Sequence, residues 1–306
     1  MNSAKNDVDN FIKEVKKSRD IAFMARVDKN EEVRYILHNK DRFIAAIKDL
    51  DEILIKFPDN AFLLDVGTSP FTFIIKRRYP KLQITTIDVT NNQAERSQKA
   101  GINFQVVDLN ITGKLPKNKK YDVVIFLEVL EHLKPTVHKS VIEWIGHILK
   151  KGGVCLLQTP NNRSLKSFIA GIVVKIKGEN SFVIPNIPEE FKHLKEYNLQ
   201  ELNNLIKRTK IFVINKSYYS MYFDTIKSTS VYRKPSILIN LILSSHFLIT
   251  YLIPKLRRGM QVVFTKEELT SDDKLNKSAY QVWEDRTFPF HYEKRFTLLE
   301  GCIVQS

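Results

Sequence analysis

The sequence predicts a doubly wound α/β fold, with a mostly parallel, seven-stranded sheet, a helical extension before it and helical insertions near the C-terminus. Three observations carry this. From Phe62 onwards short apolar runs alternate with amphipathic segments, the pattern of strands covered on both faces by helices. The first run ends in a glycine turn, Phe62-Leu-Leu-Asp-Val-Gly-Thr68. Acidic residues, Asp88 and Asp108, end the next two runs. The chain has 306 residues, 43% of them hydrophobic and 27% charged, an ordinary globular mix that can bury a sizeable core.

Residues 1–57 read as a helical extension, because Phe43, Ile44, Ile47, Leu50 and Leu54 recur at helical spacing. Pro58-Asp-Asn60 ends it. Residues 58–265 read as the α/β domain, with strands at 62–66, 83–88, 104–108, 123–127, 154–159, 211–217 and 260–265. Helices fall at about 71–79, 92–100 and 136–150 by the same periodicity. Insertions are expected at about 160–210 and 218–258. The first of these holds an apolar, amphipathic run at 168–176. The tail, 266–306, carries Tyr280, Trp283, Phe288, Phe290, Tyr292 and Phe296, too many aromatics for a disordered segment.

The formal net charge of +14 attracts polyanions: RNA, acidic membrane surfaces or nucleotide-linked substrates. The lysines are dispersed, which is also what plain solubility looks like. Only Cys155 and Cys302 are present, so no disulfide framework is indicated and a reducing cytoplasm fits. The polar N-terminus shows no secretory signal. Residues 237–253 are apolar and uncharged, but short for a membrane helix and interrupted by Asn240, Ser244, Ser245 and His246. A buried or membrane-touching helix is expected there. Arg257 and Arg258, just beyond it, would suit an acidic surface or a phosphate.

Ligands of open α/β sheets sit outside the carboxyl ends of the strands, so the residues ending each strand matter most. Gly67 lets the backbone turn tightly. Ser69 and Pro70 suit the start of the next helix, whose free N–H groups can face a polar ligand. Asp88, about 20 residues beyond the glycine turn, is placed to accept from ribose hydroxyls. Asp108 can accept from an exocyclic amine, with Leu109 or Leu127 packing on a ring. Each feature alone is often only a turn or a cap. The ordered set is far more specific.

Asp65-Val-Gly67, Asp88, Asp108, Tyr121-Asp-Val-Val-Ile-Phe-Leu-Glu-Val-Leu-Glu-His-Leu133 and Leu149-Lys-Lys-Gly-Gly153 together resemble the successive motifs of class I S-adenosylmethionine-dependent methyltransferases. The resemblance runs over roughly residues 60–265. It implies a Rossmann-like sheet and S-adenosylmethionine as cofactor. It places Asp65, Gly67 and Thr68 at the methionine moiety, Asp88 at the ribose and Asp108 at the adenine, with Glu128 close to the cofactor. The sequence departs from the family in one place: Ser69 and Phe71 stand where many members have a second and third glycine, which narrows the loop. A dinucleotide-binding dehydrogenase is the other reading of such a sheet, and the missing glycines count against it.

Glu128, Glu131 and His132 follow the fourth strand. On a helical turn they would share one face and, with His193, offer ligands to a divalent cation such as magnesium. This set resembles two branches of the family, the ubiquinone-type O-methyltransferases and the small-RNA 3′-terminal 2′-O-methyltransferases, in the second of which similar residues hold a metal. His132 and His193 are also candidate general bases without a metal. The expected activity is methylation of a hydroxyl on a small or lipid-linked acceptor. Two alternatives stand beside it. One is RNA ribose methylation, supported by charge but lacking a separate RNA-binding module. The other is a non-catalytic binding protein, suggested by the altered glycine loop.

Overall fold

The computed structural model describes residues 3–17, 29–165, 193–209, 211–219, 249–250 and 252–266. Two helices come first, α1 (Ser3–Lys17) and α2 (Lys29–Leu54). The alternating part follows as β1 (Phe62–Val66), α3 (Pro70–Arg78), β2 (Gln83–Asp88), α4 (Ala94–Lys99), β3 (Asn103–Val106), β4 (Tyr121–Leu127), α5 (His138–Ile148) and β5 (Leu149–Pro160). It ends with α6 (Leu199–Lys207), β6 (Phe212–Tyr219) and β7 (Gly259–Thr265).

The described strands form one sheet in the order β3-β2-β1-β4-β5-β7-β6. Pairs from β3 to β5 are parallel, while β7 runs antiparallel to both its neighbours. The order reverses between β1 and β4, which opens a crevice at their carboxyl ends.

Successive strand residues point to opposite faces, and the apolar runs supply both. Leu63, Val123, Ile125, Leu156 and Val263 pack under α1, α2 and α3. Leu64, Val124, Phe126, Cys155, Leu157 and Phe264 pack under α5 and α6, against Trp144, Ile145, Leu202 and Ile206. Burying each of these large side chains contributes about 1.5–3 kcal/mol.

Several expectations shift. β3 ends at Val106, so Asp108 lies in the turn beyond it rather than at the strand's last residue. The Gly152-Gly153 pair does not precede β5 but bulges within it. The register with β4 jumps from Tyr121↔Leu149 to Val123↔Val154, and Gly152 takes a φ of 70°. Residues 166–192, 220–248 and 267–306 lie outside the described residues, and with them most of both insertions, the 168–176 run and the aromatic tail. Of the 237–253 segment, Ile249, Leu252 and Ile253 are described and exposed. No helix among the described residues is long and apolar enough to cross a membrane.

The N-terminal helices are tied to the domain by arginines of α3 and α4. Arg78 donates to both carboxylate oxygens of Asp51 on α2 (Nε–Oδ1 2.9 Å, Nη2–Oδ2 2.7 Å). It also reaches Asp7 and Ser3 on α1. Arg96 pairs with Glu32 at 2.8 Å and lies over the rings of Phe73 and Phe11. Two-pronged arginine–carboxylate contacts carry more than ordinary surface pairs. Arg78→Met is therefore expected to lower the unfolding free energy by about 1–2 kcal/mol. Chemical denaturation checks this: an unchanged midpoint would show that α1 and α2 are held by apolar packing alone.

Candidate functional site

The site begins where β1 stops. Asp65 is buried there, and Thr72 Oγ1 donates to its Oδ2 at 2.5 Å. Burial pushes the Asp65 carboxyl up to about 7, against the lowering effect of the Thr72 hydroxyl and with a further push from Asp88. Gly67 turns the chain with φ 86°, and its N–H donates to Ile87 O at 2.9 Å. A Cβ at this position would stand 2.7 Å from Val129 Cγ2, so both the turn and the contact require glycine. Ser69 then caps α3 in a box with Thr72, and Pro70 is the first helical residue, as the sequence predicts.

Ser69 and Phe71 explain the missing glycines. Ser69 has φ −142°, extended backbone open to any residue. Phe71 is buried and stacks on Phe43 of α2, with ring centroids 5.2 Å apart. Neither position needs glycine's conformational freedom.

The next two acids are fixed by backbone N–H groups. Asp88 Oδ2 accepts from Thr68 N at 3.0 Å, and Oδ1 accepts from Thr90 N at 3.2 Å. Burial raises the Asp88 carboxyl, and these N–H groups partly offset that. Thr68 and Thr86 join hydroxyls at 2.8 Å beneath the turn. Asp108 Oδ1 accepts from Asn110 N at 2.8 Å. Leu109 is buried against the α5 side of the sheet, and Leu127 is half-buried against the α2 side.

Beyond β4 the expected single helical face does not form. Glu128 takes φ 54°, which turns the chain sharply, and Leu130–His132 make a short 3₁₀ turn. Glu128 stays near Glu131 but outside the group whose ligating atoms converge. Its carboxylate faces Arg42 of α2, 3.3 Å away, while its N–H donates to Gln158 O at 2.9 Å. The group that does converge is Glu131, His132 and His193, whose ligating atoms all lie within 4.8 Å of one another. Glu131 is wholly buried. Its Oε2 accepts from Thr159 Oγ1 at 3.0 Å, and its Oε1 has no hydrogen-bond partner among the described residues. Burial and the nearby Glu128 raise its carboxyl well above the usual range, against the lowering effect of Thr159 and Arg42.

His193 is brought there by its own segment. Leu194 N and Lys195 N donate to Glu131 O at 2.7 and 3.3 Å. Tyr197 hydrogen-bonds the buried His138 ring (OH–Nδ1 2.5 Å), whose other nitrogen is 2.9 Å from Leu133 O. The His132 and His193 rings meet edge to face, centroids 5.0 Å apart. His193 Nδ1 lies 2.6 Å from Glu196 Oε1, which leaves Nε2 turned away from that partner.

Sequence reading missed Arg42, Thr72, Thr159 and Glu196. The Ser69-x-x-Thr72 spacing is a capping signal that could have located Thr72. The His193-x-x-Glu196 spacing offered a similar hint. Nothing in the local sequence marks Arg42 or Thr159.

A family model described as a methyltransferase domain matches residues 37–210. The ubiquinone biosynthesis O-methyltransferases of Rickettsia prowazekii and Rickettsia typhi are 26% and 30% identical to this chain. Each match covers 50% of this chain, and 55% and 63% of the relative. The ubiquinone/menaquinone biosynthesis C-methyltransferase of Desulfotalea psychrophila is 32% identical over 33% of this chain and 42% of its own. The chain thus spans about half the length of the curated relatives it matches. An S-adenosylmethionine-dependent methyltransferase from Clostridium acetobutylicum aligns with a TM-score of 0.46 at 12% identity, over 80% of this chain and 94% of that one. PKMT2 from Rickettsia typhi in complex with AdoHcy aligns with a TM-score of 0.41 at 10% identity, over 69% and 50%.

The raised Asp65 carboxyl has a consequence for stability. The folded state holds this proton more tightly than the unfolded chain does, so Asp65 favours folding below about pH 4, and that contribution is lost as pH rises through about 7. Keeping the group charged at pH 8 costs about 2–4 kcal/mol. Asp65→Asn keeps an acceptor for Thr72 and removes that cost. It is expected to raise the melting temperature of the ligand-free protein most at pH 8, by less than half as much at pH 5, and little at pH 3.5. An equal shift at all three pH values would contradict the assignment.

Proposed function

We propose, from the premise that this chain belongs to the S-adenosylmethionine-dependent methyltransferases, that it methylates a hydroxyl oxygen of a small or lipid-linked acceptor held beside Glu131, His132 and His193. The observation that carries the reading is the succession of acids around the β1–β4 crevice, with a histidine–carboxylate pair at its far end. Bound S-adenosylmethionine supplies an electrophilic methyl carbon.

The chain's residues fit that cofactor. Asp65 offers a carboxylate for an ammonium group, with Gly67 and Thr68 lining the methionine end. Thr68 and Thr90 hold both Asp88 oxygens in fixed directions, so the carboxylate presents remaining lone pairs to ribose hydroxyls. Asp108 accepts from the adenine amine, and Leu109 and Leu127 pack on the ring. Arg42 steers Glu128 at the rim of the crevice and brings a second, cationic group there.

On the acceptor side, His193 takes the hydroxyl proton at Nε2 while Glu196 holds Nδ1, fixing the ring and stabilising the imidazolium that forms. His132 packs against that ring and is the second candidate base. Aligning oxygen and methyl carbon supplies much of the rest of the rate. Glu131, His132 and His193 also suit a divalent cation such as magnesium: the donors converge, and one Glu131 oxygen lacks a partner among the described residues. Such an ion would lower the pKa of the acceptor hydroxyl. Glu128 is left out of that set.

Calorimetric titration with S-adenosylhomocysteine tests the reading. Binding is expected, and Asp88→Ala should weaken it at least about 100-fold. No binding at millimolar ligand would overturn the enzyme reading. Labelled methyl transfer to phenol, glycan, lipid and RNA extracts identifies the acceptor. With that acceptor, His193→Ala should lower kcat about 100- to 10,000-fold and leave cofactor affinity unchanged. Loss of activity in chelator supports the cation, whereas indifference removes the cation and leaves His193 as the base.

A further inference from the structure

The segments that carry Glu131's partner Thr159 and His193 run on to line a cavity of about 340 Å³ that the reaction described above does not use. Its walls include Asn161, Arg163, Asn198, Gln200, Asn203 and Lys255. Two chain segments join it to the candidate site. Thr159, which holds Glu131, is two residues before Asn161, and His193 is five residues before Asn198. The segments are stitched together by a parallel bridge between Asn161 and Tyr197 and by Asn162 N donating to Tyr197 O at 2.9 Å. A molecule seated in the cavity is therefore held by the same two segments that position Glu131 and His193.

Much of the lining is carbon, from Leu199 and the stems of the polar side chains, and what marks the cavity out is the two exposed cations among them, Arg163 and Lys255. Arg163 and Lys255 both line it, and among the described residues neither has a carboxylate within ion-pair distance. The acid closest in effect is Glu201, whose carboxyl is lowered first by the Asn198 N–H and only weakly by Lys195 and Arg163. Its Oε2 is occupied by Asn198 N at 3.0 Å and by the Asn162 amide at 3.2 Å. Asn161 is buried and locked: its Nδ2 donates to Lys255 O and Arg257 O, each at 2.8 Å, and its Oδ1 accepts from Arg163 N at 3.0 Å. One side chain thus fixes the backbone under both cations.

We infer that this cavity binds an anionic group of the methyl acceptor, a phosphate or a carboxylate, through Arg163 and Lys255. The inference rests on the methyltransferase reading and narrows its substrate class: the acceptor carries its negative charge at a distance from the hydroxyl that is methylated. The charge binds at the two cations over the backbone that Asn161 fixes, and the hydroxyl is presented to His193.

The test uses the full chain and three small probes: glycerol 3-phosphate, glycerate and uncharged glycerol. Binding is followed by calorimetry at low salt, with and without saturating S-adenosylhomocysteine. At least one anion is expected to bind, with glycerol much weaker, and Arg163→Gln/Lys255→Gln together should weaken that anion about tenfold or more. S-adenosylhomocysteine affinity should stay the same in the double variant, and the anion should still bind when the cofactor product is present. The tighter of the two anions tells phosphate from carboxylate. The inference is overturned if neither anion binds, if the double variant binds them equally well, or if S-adenosylhomocysteine displaces them. If S-adenosylhomocysteine itself does not bind, the methyltransferase reading fails instead, whatever the anions do.

Discussion

Gly67 and Val129 touch across the seam where β1 and β4 lie side by side. Chain connections leave this seam in opposite directions, because the sheet order reverses there. The crevice can open above the strands only if both lips fold back tightly. Gly67 does so with φ 86°, at no steric cost. Glu128 does so with φ 54°, a left-handed conformation that costs a residue with a Cβ on the order of 1 kcal/mol. Its N–H bond to Gln158 O and its contact with Arg42 offset that cost. Everything placed around the site inherits its direction from these two turns. The turn at Gly67 sets Thr68 against Asp88, and the turn at Glu128 sends Glu131 and His132 towards His193.

The sheet supplies only part of the site, and α2 completes it. Asp49 of α2 is buried beside Gln261 of β7, which accepts in turn from Gln158 Nε2 at 2.5 Å. Burial raises the Asp49 carboxyl well above its usual range. This polar line through an apolar interface fixes α2 along and across the sheet, so that Arg42 meets Glu128 and Phe43 meets Phe71. Asp65 and Glu131 are buried acids as well. Each opposes folding when ionised, which is how a binding site differs energetically from a core.

The strand-and-helix alternation was legible because it depends on local periodicity, and so were Asp65, Gly67 and Asp88, which stand at strand ends. Asp108 was read at the right place in the order but on the wrong element, because β3 is only four residues long. The cluster after β4 was misread for a physical reason. Helical spacing assumes φ near −60° throughout, and one left-handed residue at Glu128 breaks it. Arg42 was invisible for a different reason. Its partner lies on another element, far away in sequence, and on its own helix it sits beside Phe43 and Ile44 like any residue at the edge of an apolar stripe. Thr159 reads as one more residue of a buried strand until Glu131 arrives beneath it.

The replaced glycines, the feature that argued most against a working site, follow from the same geometry. A glycine at position 71 would remove the ring that stacks on Phe43, and with it one of the contacts seating α2. A glycine at 69 would remove the side chain that caps α3, the helix whose first turn carries Thr72 against the Asp65 carboxyl. The loop therefore gives up conformational freedom it does not need, since Ser69 is extended. In exchange it gains two anchors, one at the start of α3 and one under the helix that carries Arg42. Only Gly67, at the seam itself, has no substitute.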